Sequence, residues 1–218
     1  MMGSAMFSSL QISDLYFILD GALKTIWLAA VVIAIGTLIG FFMGWLRSSS
    51  KIINLLLSPL VDLSRSIPLI IQLIVANSAL AILGSPASPF VCSGVVLSLY
   101  MAAYCSEIYK GGFEAVPSKL QRAARSLGMS YMQSFRHVTV PIMLQNTFPA
   151  WVGIMLGVLK DTSLAAVIGY IELLRSSQIV ITRTQEPLII LLGVGLFYFV
   201  ICYPVSRYSQ KLEEGFQK

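Results

Sequence analysis

Along this chain, long uncharged apolar runs alternate with shorter polar stretches. Crossing a hydrocarbon core of roughly 30 Å takes about 20 helical residues at ~1.5 Å each. The pattern predicts spans at roughly 23–46, 67–83, 90–106, 142–160 and 187–205. Within the first span, Gly36, Gly40 and Gly44 recur every four residues and offer a groove to another helix. The stretch IINLLLSPLVDLSR that follows is amphipathic, interrupted by Pro59 and charged at Asp62 and Arg65, so it is expected at the inner surface. The second span is short and carries a stripe of Gln72, Asn77 and Ser78. Unpaired amides are costly in hydrocarbon, and the stripe is expected to face other helices or a watery path.

The one long segment too polar for lipid is 107–141. Pro117 can begin a helix without losing a needed N–H, and Leu120, Ala123, Ala124 and Leu127 then follow the i, i+3, i+4, i+7 spacing of one apolar face. Gly128 suits a left-handed helix end. Ser130 with Gln133 forms a capping box for a second helix, whose apolar face is Tyr131, Phe135 and Val138. The prediction is a knob of two short helices with Lys119, Arg122 and Arg125 around its apolar face. An exposed apolar face with a basic rim calls for a partner; a loop packed on its own membrane domain fits the pattern equally well.

Beyond Pro141 the fourth run contains Gly153 and Gly157, meets Lys160-Asp161-Thr162-Ser163, and continues as LAAVIGYIELL. Ionisable residues within membrane segments mark a substrate or ion route. The competing explanation is a span end, where Lys160 snorkels to the interface.

Composition supports a bilayer home. Of 218 residues, 56% are hydrophobic and only 11% charged, with mean hydropathy +0.80. The expected class is an all-α integral membrane protein, one domain over 1–218 with about five transmembrane helices. Eleven of the fifteen basic residues fall on the side of the 107–141 loop. The positive-inside bias therefore puts that loop and the C-terminus in the cytoplasm and the N-terminus outside. The first 22 residues contain no basic residue, unlike a signal peptide, and are expected to be retained. The net charge of +5 comes with no aromatic-basic nucleic-acid motif, so no nucleic-acid partner is expected. Cys92, Cys105 and Cys202 lack metal-ligand spacing and read as small core residues. His137 is the only histidine and there is no phosphate-binding G-x-x-x-x-G-K-[ST] loop, so no catalytic site, metal site or cofactor is expected on this chain. Arg65 and Glu107 both fall near the cytoplasmic mouth, where they either pair or are separately solvated.

The 107–141 segment also carries a resemblance. Ala123-Ala124, three residues, Gly128, nine residues, then Val138-Thr139-Val140-Pro141 resembles the EAA loop of ABC-importer permeases. Arg122 stands where that family usually has Glu, Val138 replaces Ile and Val140 replaces Leu. The segments RSIPLIIQL, AAYCSEIYKGGFEAVP and LKDTSLAAVIGYIELLRSSQ are similar to the polar amino-acid branch of the same family. The resemblance implies a multi-pass permease of the bacterial cytoplasmic membrane that moves a polar amino acid by alternating access. It implies a second permease subunit, two ATPase subunits that hold ATP and Mg, and a periplasmic or lipid-anchored binding protein. Docking to the ATPase is implied for Ala123, Ala124, Gly128 and Pro141, and is expected to involve Leu120, Leu127 and Phe135. Gln72, Asn77 and Lys160, Asp161, Thr162 and Ser163 are expected along the solute route, Asp161 facing a cation and Lys160 a carboxylate. The alternative from another class is a stand-alone ion-coupled secondary transporter using Lys160 and Asp161.

Overall fold

A computed structural model describes residues 10–216, and among them the chain consists of helices and turns with no strand. Most of the amino-terminal stretch up to residue 9, expected to be retained and outside, and Lys218, counted among the basic residues of the loop side, lie outside the described residues. Helix α1 covers Ile12–Ser49. Asp14 opens it by accepting the Gln11 N–H at 2.8 Å, and Arg47 sits in its last turn, so both ends match the helix dipole.

Helix α2, Lys51–Ser66, begins at Ser50, whose hydroxyl accepts the Ile53 N–H. Ile52, Leu55, Leu56, Leu60 and Leu63 are exposed along it while Val61 is buried, the distribution of a helix lying in a membrane interface. It ends where Ile67 precedes Pro68. The proline ring disfavours helical geometry in the residue before it, and Ile67 takes ψ 130°. The chain bends there by 103° into α3, Leu69–Ile82. At ~1.5 Å per residue, α3 is about 21 Å long and too short to cross alone. Four helical stretches are long and apolar enough to span, and the bent α2–α3 pair is the fifth if counted as one.

Helix α4 is Pro89–Ala115, which carries the helix nine residues past the expected span end at 106 and into the polar segment. Helices α5, Ser118–Ser126, and α6, Tyr131–Ser134, precede a π turn at Phe135–Thr139 that runs into α7, Val140–Asp161. A 3-10 segment, Thr162–Ile168, then leads to α8, Leu173–Thr184, and α9, Pro187–Phe216.

Packing divides the described chain into two compact units, to both of which α1, α4, α7 and α9 contribute. The first comprises residues 10–32, Pro68–Leu97 and Gly157–Pro204. Its core joins Ala22 of α1, Leu173 of α8 and Val194 of α9, with Ile18, Phe197 and Tyr198 packed around them. There α3 packs along the 3-10 segment. Asp14 and Arg183 form an ion pair between α1 and α8.

The second unit comprises Ile33–Ile67, Ser98–Leu156 and residues 205–216. The glycine repeat is where α4 comes against α1. A Cβ on Gly40 would lie 2.9 Å from the Ala102 carbonyl oxygen, and one on Gly44 would lie 2.8 Å from Tyr109 Cβ. Gly153 and Gly157 on α7, by contrast, face open space. Cys105 is buried in this unit, as Cys92 is in the first.

Candidate docking surface and solute route

The docking candidates lie in the second unit. Helix α5 ends with Gly128 at φ +88°, and the Met129 N–H reaches back to the Ala124 carbonyl at 3.2 Å. Helix α6 starts on the expected capping box. The Ser130 hydroxyl accepts the Gln133 N–H at 3.3 Å, and the Gln133 side chain accepts the Ser130 N–H at 2.8 Å. Two satisfied ends make the elbow between the helices specific rather than floppy. On its outer side Leu127 is 84% exposed and Leu120 45%, with Ala123 also exposed, while Ala124 faces inward at 6%. Pro141 is exposed at the start of α7.

Phe135 does not share that outward face. It is half-buried, 5.9 Å from Phe113 in a stacked pair and 5.8 Å from Trp45, so it fixes the base of the knob to α4 and α1. Its N–H still bonds the Tyr131 carbonyl in the α-helical way and the wider π turn begins only after it, so the inward seat comes from its packing on Phe113 and Trp45. A concavity of about 410 Å³ adjoins the knob, with Arg122, Arg125, Glu114 and Tyr131 at its wall and Trp45 among its apolar groups. Arg122 is exposed and donates to the Ser118 hydroxyl at 3.4 Å.

Below the knob, Glu107 is shared by two arginines. Arg47, only 3% exposed, donates to Glu107 Oε1 at 2.6 Å, and its other N–H groups reach Ser106, Ser58 and Asn54 at 2.9, 3.1 and 3.2 Å. Arg65 lies 3.9 Å from the same carboxylate oxygen and stacks 5.1 Å above the Tyr104 ring. Arg47 falls just past the expected end of the first span at residue 46, and its partners on α2 and α4 are what make it a node joining three helices.

The residues expected along a solute route lie in the first unit. Gln72 and Asn77 are half-buried on α3. Lys160 is exposed at the end of α7, Asp161 is half-buried and Thr162 is buried. The Thr162 hydroxyl donates to the Leu159 carbonyl and that of Ser163 to the Lys160 carbonyl, both at 2.7 Å. Both hydroxyl protons are thus spent within their own turn, and of the two the half-buried Ser163 keeps accessible oxygen lone pairs.

Glu172 is the residue that sequence reasoning did not single out. Fully buried, it caps α8 by accepting the N–H groups of Leu174 and Arg175, each at 2.8 Å. Thr25 of α1 donates to it at 3.3 Å and accepts the Leu173 N–H at 3.1 Å. Burial pushes the Glu172 carboxyl above its ordinary pKa, against the opposing pull of these hydrogen bonds. The signal available in the sequence was an acidic residue directly before LLRSSQIVI, the position of a helix N-cap.

Comparison with known proteins places the fold in a family. Residues 36–217 match the family described as binding-protein-dependent transport system inner membrane component. The chain is 30% identical to the probable glutamine ABC transporter permease protein GlnP of Bacillus subtilis, over 91% of this chain and 93% of that one. It is 30% identical to the nopaline transport system permease protein NocM of Agrobacterium fabrum, over 84% and 80%, and 28% identical to the glutamine transport system permease protein GlnP of Escherichia coli K12, over 90% and 91%. The fold superimposes on a crystal structure of an amino acid ABC transporter with histidines at TM-score 0.81 and 27% identity, covering 95% of this chain and 99% of that one. The inward-facing MetNI methionine ABC transporter shares the fold at TM-score 0.78 and 18% identity, over 94% and 99%. By its helices and by these matches, the chain belongs to the family of binding-protein-dependent transport system inner membrane components, the permease subunits of ABC importers.

Proposed function

We propose that the chain, acting as one permease domain over 1–218, moves a polar amino acid across a bacterial cytoplasmic membrane in an ATP-driven importer. The names of relatives at about 30% identity, which specify glutamine and amino acids, support that solute class. In this reading the chain does no chemistry. A second permease subunit, identical or paralogous, stands beside it, and two ATPase subunits bind and hydrolyse ATP. A periplasmic or lipid-anchored binding protein delivers the solute. The knob and the C-terminus are cytoplasmic, the N-terminus is outside, and Gln72, Asn77 and Lys160 to Ser163 line the route, with Asp161 facing a solute cation.

The observation that carries the reading is the knob. A leucine 84% exposed at an elbow whose two flanking helix ends are satisfied, and whose following turn is clamped on Trp45 and Phe113, is held ready for a partner. ATP closure of the ATPases would then reach the spans through Leu120, Ala123, Leu127, Gly128 and Pro141, with Ala124 and Phe135 seating the knob from within. A stand-alone secondary transporter has no use for such an element. The test is uptake by proteoliposomes carrying the complex assembled with its ATPase. Leu127→Asp is expected to abolish ATPase copurification and uptake while leaving the permease folded; uptake that persists without any ATPase subunit would sink the importer reading. Asp161→Ala is expected to lose uptake with the ATPase still bound, and normal uptake by that variant would remove Asp161 from the route.

A further inference from the structure

In the first unit, the turn that joins α7 to α8 borders a concavity of about 430 Å³, within the range of small-molecule sites. Its walls are mainly apolar, with Ile70 of α3 opposite Leu164 and Val167 of the 3-10 segment. Its polar side chains are Arg175, Gln178 and Ser163. Lys160 and Asp161 are not among the residues lining it.

Among the described residues Arg175 makes no ion pair, and it is the cation that lines this concavity. Lys24 pairs with Asp20 and Arg183 with Asp14, whereas the polar side-chain partner of Arg175 among the described residues is the Gln178 carbonyl, at 3.5 Å. Its guanidinium is exposed, so the charge is open to a ligand. Its backbone is not free to wander. The buried Glu172 carboxylate accepts the Arg175 N–H, and Thr25 ties that carboxylate to α1. Glu172 also satisfies the first-turn N–H of Leu174, so the positive charge offered to the concavity belongs to the side chain of Arg175 rather than to a helix end.

A planar guanidinium fork over an apolar wall is matched by a carboxylate, which it can hold through two parallel N–H···O bonds. Ser163, its proton given to the Lys160 carbonyl, presents only acceptor lone pairs, suited to an ammonium. We infer that this concavity receives the α-carboxylate of the transported solute, with Arg175 as its partner, Gln178 beside it, and Glu172 as the positioning residue. Arg175 thereby takes the role that adjacency in the sequence suggests for Lys160. The inference rests on the importer reading. A carboxylate could also be supplied by an acidic side chain of the binding protein, and the experiment separates these two sources.

The test uses the complete permease–ATPase complex in nanodiscs, and uptake by the same complex in proteoliposomes. Free L-glutamine, L-arginine and L-glutamate are each paired with the analogue whose α-carboxylate is a carboxamide. For the amino acid that the wild type takes up, Arg175→Gln is expected to weaken binding roughly 10- to 100-fold, the range of a charge-assisted hydrogen-bonded pair. The carboxamide analogue loses a similar factor on the wild type and nothing further on Arg175→Gln; Arg175→Lys falls between. Glu172→Gln is expected to weaken the acid but not the carboxamide. An analogue penalty that is unchanged in Arg175→Gln overturns the inference while leaving the importer reading intact. Solute affinity that is unchanged while binding-protein docking weakens assigns the carboxylate to the binding protein and also overturns it. A wild-type complex that shows no ATP-driven uptake of any of the three overturns the amino-acid importer reading and this inference with it.

Discussion

Glu107 is approached by two arginines, and which of them it needs can be worked out before any measurement. Coulomb's inverse dependence on distance favours Arg47 at 2.6 Å over Arg65 at 3.9 Å by only about 1.5-fold. Burial decides more. The Arg47 side chain is almost wholly enclosed, whereas that of Arg65 is about a third exposed and screened by solvent. Removing one partner of a fully buried pair costs about 3–5 kcal/mol. Glu107 is itself a third exposed and three hydroxyl or amide oxygens still hold Arg47, so Glu107→Gln is expected to cost about 2–3 kcal/mol. Arg65→Ala should cost about 0.5–1 kcal/mol, most of it from the Tyr104 contact. The assay is unfolding of the purified chain in mixed micelles, arranged as two double-mutant cycles. Exchanging charges between Glu107 and Arg65, as Glu107→Arg with Arg65→Glu, should not restore stability, because the new arginine would face the enclosed Arg47. A coupling of Glu107 to Arg65 as large as that to Arg47, or recovery on that exchange, would refute the reasoning.

Other outcomes follow from the same geometry. Gly40→Leu pushes its Cβ against the Ala102 carbonyl and should lower stability by about 1–3 kcal/mol, whereas Gly153→Leu, with nothing within 4 Å, should leave the isolated chain unchanged; thermal midpoints in detergent compare them. Phe135→Ala removes the stacking on Phe113 and Trp45, and at half burial should cost about 2 kcal/mol while increasing amide exchange across residues 118–134, which mass spectrometry can follow. Burial raises the Glu172 pKa, so the folded chain keeps that proton at pH values where the unfolded chain has lost it. The stability contributed by this group is therefore full below the unfolded pKa and falls as pH rises through the window up to the folded value. Glu172→Gln should remove that part of the slope in a series of midpoints against pH, and parallel slopes for the two proteins would contradict it.

What the sequence made legible was local. The capping box of Ser130 and Gln133, the turn at Gly128 and the four-residue glycine spacing each depend on residues within one or two turns, and each stands in the structure as the pattern implies. Arg47 and Glu172 were overlooked because their partners arrive from far along the chain, Glu107 sixty residues from Arg47 and Thr25 147 residues from Glu172. Phe135 was placed on the docking face because a wheel groups side chains by angle and cannot show that Phe113 of α4 and Trp45 of α1 cover that end of the face. The length of α4 was cut at 106 because a criterion of lipid solubility ends with the lipid. The helix itself continues past that point, helped by the Lys110–Glu114 pair one turn apart at 3.8 Å.

The π turn at Phe135–Thr139 also bears on how the knob, in the proposed importer, would hand on a push. Backbone hydrogen bonding runs on from α6 through this turn into α7, with the Val140 N–H donating to the Phe135 carbonyl, so no loop stands between them to absorb displacement. A tilt imposed at Tyr131 must emerge as rotation or translation of the rod that begins at Val140, with the ring of Phe135 as its fulcrum. Deleting one residue of the turn would let an ordinary helix re-form with its handle near the present bearing, because the wide turn already absorbs that one residue.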